Sequence, residues 1–189
     1  QFLHVDDLAA AVAVVRHTPV DGVVNVAPDG WLTSEQLRAL KGATFRAEGR
    51  HGGCFHFDGM DDEVVVSNSA ALNPSGALSV AAWVYNEGPG VLNGIVVFKG
   101  SAPGGGSAQY GLVAFPLSGG GGFTPSFSLN TTLTSWRDYA SPVATATGVW
   151  THLAGTYVSG RLRLYVDGKL KLEQTTVSGS IPSMGGDLY

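Results

Sequence analysis

Three carboxylates, Asp58, Asp61 and Asp62, crowd one short stretch, Phe57-Asp58-Gly59-Met60-Asp61-Asp62. Hard cations such as Ca²⁺ take roughly six to eight oxygen ligands, and a short acidic turn is a ready source of them. The same spacing suits a hairpin whose aspartates accept hydrogen bonds from their own backbone N–H groups, which is the simpler reading. A second group, Trp136-Arg137-Asp138-Tyr139, is the one polar-aromatic cluster in an expected loop. An aromatic face for stacking on a sugar ring, beside a carboxylate and a guanidinium for its hydroxyls, is lectin-like chemistry. Packing of Trp136 into a core, with its neighbours solvated, is the alternative for those four residues.

Catalytic constellations are harder to find. Glycosidic cleavage needs two carboxyls about 5–10 Å apart, and the glutamates Glu35, Glu48, Glu63, Glu87 and Glu173 are scattered singly. Neither a Ser-His-Asp nor a Cys-His arrangement is legible, so the expectation is a chain without catalytic residues. The single Cys54 cannot form an internal disulfide and reads as a small buried hydrophobe. His152, which alternates with Leu153, reads as a satisfied histidine on a sheet face. Trp83 and Trp150 lie in expected strands and read as core. The sequon Asn130-Thr131-Thr132 reads as a chance occurrence.

These groups need elements to hold them, and composition says which. Of 189 residues, 27 are glycine, 44% are hydrophobic and only 14% are charged, which favours turns and short strands over long helices. The net charge of −4 and the lack of a basic cluster give no footprint for nucleic acid. No apolar run approaches the roughly eighteen residues of a membrane span. The clearest local signal is Gly148 to Glu173. Trp150 to Tyr157 is aromatic and β-branched, and Val158-Ser159-Gly160 turns the chain. Arg161 to Val166 then alternates, with Leu162, Leu164 and Val166 on one face. Asp167-Gly168 suits a two-residue type I′ hairpin, because both central positions need positive φ. Asp167 is therefore a turn residue, and Lys169 to Glu173 is the third strand.

Further strands are expected at 54–57, 63–67, 77–85, 94–99, 109–115 and 123–130, with one more somewhere in 133–147. Residues 77–85 are apolar on both faces and read as a central strand. The glycine-rich stretch 41–53 reads as a loop leading into a strand. Strands at this spacing, with turn signals between them, predict a sandwich, jelly roll or barrel.

The first forty residues differ in texture. A strand at 2–5, a helix at 8–17, a strand at 23–26 and a helix from Glu35 to Leu40 give the order β-α-β-α, with Thr33 and Gln36 as a capping box. Gln1-Phe2-Leu3-His4-Val5-Asp6-Asp7-Leu8-Ala9, Gly22-Val23-Val24-Asn25-Val26-Ala27 and Thr33-Ser34-Glu35-Gln36-Leu37 resemble the C-terminal part of extended short-chain dehydrogenases, the NAD-dependent epimerases and dehydratases. Those forty residues hold neither a glycine-rich dinucleotide loop nor a Tyr-x-x-x-Lys pair. The resemblance therefore implies a remnant that does not bind NAD, with capping and strand-end roles for His4, Asp6 and Asp7. A domain boundary is expected at Leu40 to Lys41.

From about residue 42 to 189 the chain resembles the laminin-G-like domains of the concanavalin A-like lectin/glucanase superfamily. The motifs are Phe57-Asp58-Gly59-x-Asp61-Asp62-x-Val64, Ala81-Ala82-Trp83-Val84, Ile95-Val96-x-Phe98-Lys99-Gly100, Gly148-x-Trp150-x-His152-Leu153-Ala154-x-Thr156-Tyr157 and Leu164-Tyr165-Val166-Asp167-Gly168. The resemblance implies a mainly β antiparallel sandwich, a jelly roll. It implies a non-catalytic module for a glycan or an extracellular protein, with a structural Ca²⁺ near the Asp58–Asp62 turn. Its glucanases carry paired glutamates on one strand as Glu-x-Asp-x-Glu, a motif absent here. The family's opening and closing strands are expected to be missing, as in a truncated fragment. The two resemblances imply different compartments, extracellular for the sandwich and cytoplasmic for the first forty residues. An epimerase remnant and a fragment with no independent function are the alternatives to a binding module.

Overall fold

Period-two alternation puts leucines and valines on one face of each strand, and two sheets cover those faces against each other. The computed structural model describes residues 37–87, 94–101, 108–119 and 121–189. In chain order come β1 (Leu37–Lys41), β2 (Thr44–Gly49), β3 (Gly52–His56) and β4 (Glu63–Val66), then a 3₁₀ turn at Ala70–Leu72. β5 (Ala77–Tyr85), β6 (Gly94–Gly100), β7 (Ala108–Pro116) and β8 (Gly122–Leu129) follow. The last six are β9 (Arg137–Ala140), β10 (Thr145–Ala146), β11 (Trp150–Val158), β12 (Arg161–Val166), β13 (Lys169–Gln174) and β14 (Asp187–Leu188).

The larger sheet has eight strands in the order β1-β4-β14-β6-β7-β8-β10, with β9 also on β8. The smaller sheet runs β13-β12-β11-β5, and β2 with β3 forms a separate hairpin. All pairings are antiparallel, which makes the molecule an antiparallel β-sandwich. Leu112, Phe127 and Leu129 of the larger sheet meet Leu153, Leu162 and Leu164 of the smaller, all at most 1% exposed. Each such side chain contributes about 1.5–3 kcal/mol of burial. The expected Asp167-Gly168 turn is present, with φ of 50° and 71°.

Among the described residues, one charged side chain lies inside. Lys99 of β6 is fully buried, and its Nζ donates to Asn68 Oδ1 at 2.9 Å and to the Gly186 carbonyl. Asn68 N–H donates in turn to Asp187 Oδ1 at 3.0 Å. This chain of bonds ties β6 to the segment that enters β14.

Several expectations need correction, among them the single strand expected in 133–147, where both β9 and β10 form. The helix from Glu35 to Leu40 is, from Leu37 on, the strand β1, paired along β4 from Glu63 to Val66. Residues 41–53 are not simply a loop, since β2 and the start of β3 form a hairpin there. β5 is the edge of the smaller sheet and not a central strand. The expected elements at 2–5, 8–17 and 23–26 lie outside the described residues.

Candidate functional site

The acidic turn joins β3 to β4. Asp58, Asp61 and Asp62 each offer a carboxylate oxygen, and the three atoms lie within 4.8 Å of one another. They have partners already. Asp62 Oδ2 accepts from Asp58 N–H at 2.7 Å, and Asp58 Oδ1 accepts from Met60 N–H at 2.8 Å. Lys41 Nζ lies 3.1 Å from Asp61 Oδ2. The hydrogen bond to Asp61 raises the Lys41 pKa, and the charges of Asp61, Glu63 and Asp62 act the same way. Asp62 also packs on Gly42, whose φ of 71° and missing side chain leave room for the carboxylate.

The strand alternation of β9 divides the Trp136–Tyr139 group. Tyr139 sits opposite Phe127 and packs on the core, where burial pushes its phenol pKa up. Arg137 is exposed at the sheet edge. Trp136 and Asp138 share the outer face of the larger sheet. The register sets Phe98, Gly111, Ser128 and Asp138 in one row across β6, β7, β8 and β9. Trp136 lies over Gly111, half-buried, with its ring 5.8 Å from that of Phe98. Ser128 Oγ donates to Asp138 Oδ1 at 2.5 Å. An indole and a carboxylate thus remain together, and the other two residues point elsewhere.

Sequence reasoning missed a larger aromatic group. Trp83 and Trp150 face away from the core, on the outer side of the smaller sheet, opposite to the faces of Val84 and Leu153. Trp83 pairs in register with His152, and Tyr85 with Trp150. Their rings stand 5.2 Å and 5.4 Å apart. The tip of the β2–β3 hairpin closes over Trp83, with the Arg50 guanidinium 5.0 Å above the indole and His51 at 5.4 Å, edge to face. The other end of the hairpin is held by Glu87, which meets Arg46 at 2.8 Å and His56 at 3.2 Å. The His56 hydrogen bond holds the Glu87 carboxyl below its usual pKa, and Arg46 adds to that. Burial pushes His152 below the usual histidine value, Asp167 opposes this and His51 reinforces it. Trp83 Nε1 is buried with no hydrogen-bond partner among the described residues. The signal available in sequence was the alternation Ala81-x-Trp83-x-Tyr85 and Trp150-x-His152-x-Ala154, which the structure pairs in register.

Other marked residues turn out to be structural. In the sequon, Asn130 Nδ2 donates to the Ala108 carbonyl at 3.1 Å, and Thr132 Oγ1 accepts from Ser180 N–H at 3.1 Å. Burial pushes the half-buried Cys54 thiol up in pKa, away from the reactive thiolate. Asp167 Oδ1 accepts from His152 N–H at 2.9 Å, as befits a turn residue. Tyr165 and Lys169 have a Tyr-x-x-x-Lys spacing, but they flank the β12–β13 turn and are not one turn of a helix. Among the described residues no helix is long and apolar enough to cross a membrane.

A laminin-G family model described as the concanavalin A-like lectin/glucanases superfamily matches residues 58–189. No curated protein matches the chain in sequence. Among solved structures, the fold is similar to domain 4 of AbnA, a GH43 extracellular arabinanase from Geobacillus stearothermophilus, in complex with arabinotriose. The TM-score is 0.55 at 19% identity, over 77% of this chain and 64% of that one. A native heptameric SAP-like pentraxin from Limulus polyphemus gives 0.45 at 16% identity, over 61% of this chain and 52% of that one. The polysaccharide lyase family 18 protein aly-SJ02 r-CATD gives 0.45 at 13% identity, over 69% and 58%. The chain thus spans less than two thirds of the length of each of these structures.

Proposed function

Because the chain belongs to the concanavalin A-like lectin/glucanases superfamily, we propose that it is a non-catalytic module that binds glycan on the outer face of its larger sheet. The observation that carries this is Trp136 laid half-exposed over Gly111, with Asp138 on the same face beside Ser128. An indole face suits the apolar C–H side of a sugar ring, and the exposed Asp138 carboxylate, steadied by the buried Ser128 hydroxyl, suits its hydroxyl groups. The non-catalytic half rests on the carboxylates. Glu63 lies on β4 and Glu173 on β13, while Glu87 follows β5 and is engaged by Arg46 and His56. No two of these three glutamates share an element, which supports the non-catalytic reading.

Two further parts of this reading are proposals as well. Ca²⁺ is proposed to bind Asp58, Asp61 and Asp62, whose hard oxygens suit it and whose Lys41 contact it would replace. An extracellular setting goes with a glycan ligand. A glycan array, run with Ca²⁺ and with chelator, tests the function. Binding to at least one neutral glycan that is lost in Trp136→Ala supports it, and a folded chain that binds none sinks it.

A further inference from the structure

We propose that the outer face of the smaller sheet is a second ligand surface, separate from Trp136, and that it takes an acidic polysaccharide. Residues of alternate parity on β5, β11 and β12 all point to this face. Its floor is made of small side chains: Ser79 and Ala81 of β5 lie in register with Thr156 and Ala154 of β11. On β12, Arg163 stands beside Thr156 and Tyr165 beside Ala154. At one end the floor meets the wall of Trp83 and His152, capped by Arg50.

At the other end Arg161 and Arg163 flank a single carboxylate. Arg161 Nε lies 3.2 Å from Glu173 Oε1 and Arg163 Nε 3.3 Å from Glu173 Oε2. Two guanidiniums on one carboxylate leave this end cationic, in a chain whose net charge is −4. Asp167, at the Trp83 end, is engaged with His152 N–H. From the Trp83 row to the Ser79 row is four residues of one strand, about 13 Å at roughly 3.3 Å per residue. The face therefore offers guanidinium groups at the two ends of a floor of small residues, with Trp83 at one of those ends and Tyr165 along one side. Planar guanidiniums favour carboxylate and sulfate partners. A ligand long enough to reach both ends, with acidic groups along it and sugar rings for the aromatic walls, is an acidic polysaccharide.

The test is titration calorimetry of the full chain with an alginate oligosaccharide, a heparin oligosaccharide and neutral cellohexaose. The first two distinguish carboxylate from sulfate recognition. Arg161→Gln combined with Arg163→Gln should weaken acidic binding about tenfold, the loss of two exposed charge contacts. Both side chains are solvent-accessible, so the melt should be unchanged. Arg50→Gln should weaken it too, and Asp138→Asn, on the other face, should leave it unaltered. Higher salt should weaken the acidic probes and spare any neutral binding. The proposal is overturned if the folded chain binds neither acidic probe, if the double variant binds them as well as the parent, or if Asp138→Asn abolishes their binding. Loss of neutral binding alone would bear on the Trp136 face and not on this one.

Discussion

Gly155 of the smaller sheet lies against the ring of Phe127 of the larger, so close that a Cβ at 155 would overlap the ring. Phe127 is fully buried and sits at the centre of the contact between the sheets. The missing side chain at 155 sets how near the layers come. Gly155→Ala is therefore expected to overpack the core and lower stability by about 1–3 kcal/mol. Urea unfolding checks this. A shift within error of zero would mean that the sheets separate at little cost.

Lys99 carries a different constraint. Burial lowers its pKa and the Asp187 charge raises it, while Asn68 and the Gly186 carbonyl accept from its ammonium. Lys99→Met keeps most of the volume and removes the donor. It is expected to cost about 1–3 kcal/mol, the penalty of buried acceptors left without a partner. Lys169→Met, on the exposed side of a hairpin turn, should change little. Parallel thermal melts of the two variants give the comparison.

How much of this was legible beforehand depends on what alternation encodes. It tells which residues share a face, so the strand Arg161–Val166 and the Asp167-Gly168 turn were read correctly. It does not tell which face will be covered. Trp83 and Trp150 read as core because they lie in strands, yet they share faces with Ala81 and Ala154, away from the second sheet. Local preference also misled at Leu37–Lys41, where good helix formers pair with Glu63–Val66. Pairing with a β-branched strand outweighs the few tenths of a kcal/mol per residue by which helix propensities differ. Trp136 to Tyr139 looked like one cluster in sequence, and a strand there sends Tyr139 into the core.

Acid should destabilise the chain through His152. Burial against Trp83 favours its neutral form in the folded state, so its folded pKa lies below the unfolded value of about 6.5. The unfolded chain then binds more protons, and stability falls as pH drops below that unfolded value toward the folded pKa. His152→Gln should flatten the decline between neutral pH and pH 5. Urea midpoints at several pH values measure it, and an unchanged slope in the variant would assign the decline to other groups.

Calcium at Asp58, Asp61 and Asp62 makes a thermodynamic demand. A ligand that binds only the folded state raises the melting temperature, by about 2.7 kcal/mol of stability at a hundredfold excess over Kd. Added Ca²⁺ should raise the melt, chelator should reverse it, and Asp61→Asn should abolish the effect. Asp61 is the choice because its carboxylate pairs with Lys41, while Asp58 and Asp62 accept the turn's backbone N–H groups. Identical melts with Ca²⁺ and with chelator would leave the three aspartates as turn residues.

The Trp136 face can be separated from its structural role by grading the substitution. Trp136 covers Gly111 and packs on Phe98, so Trp136→Ala removes both an aromatic contact and a surface for stacking. Trp136→Phe keeps much of the packing and narrows the stacking face. If the indole binds sugar, neutral-glycan affinity should fall in the order parent, Phe, Ala, with a loss of about 1–3 kcal/mol for Ala. Stability should fall mainly in the Ala variant. Asp138→Asn, which keeps an oxygen for Ser128 Oγ and removes the charge, should weaken binding without moving the melt. Affinity that tracks stability across all three variants would place Trp136 in the packing alone.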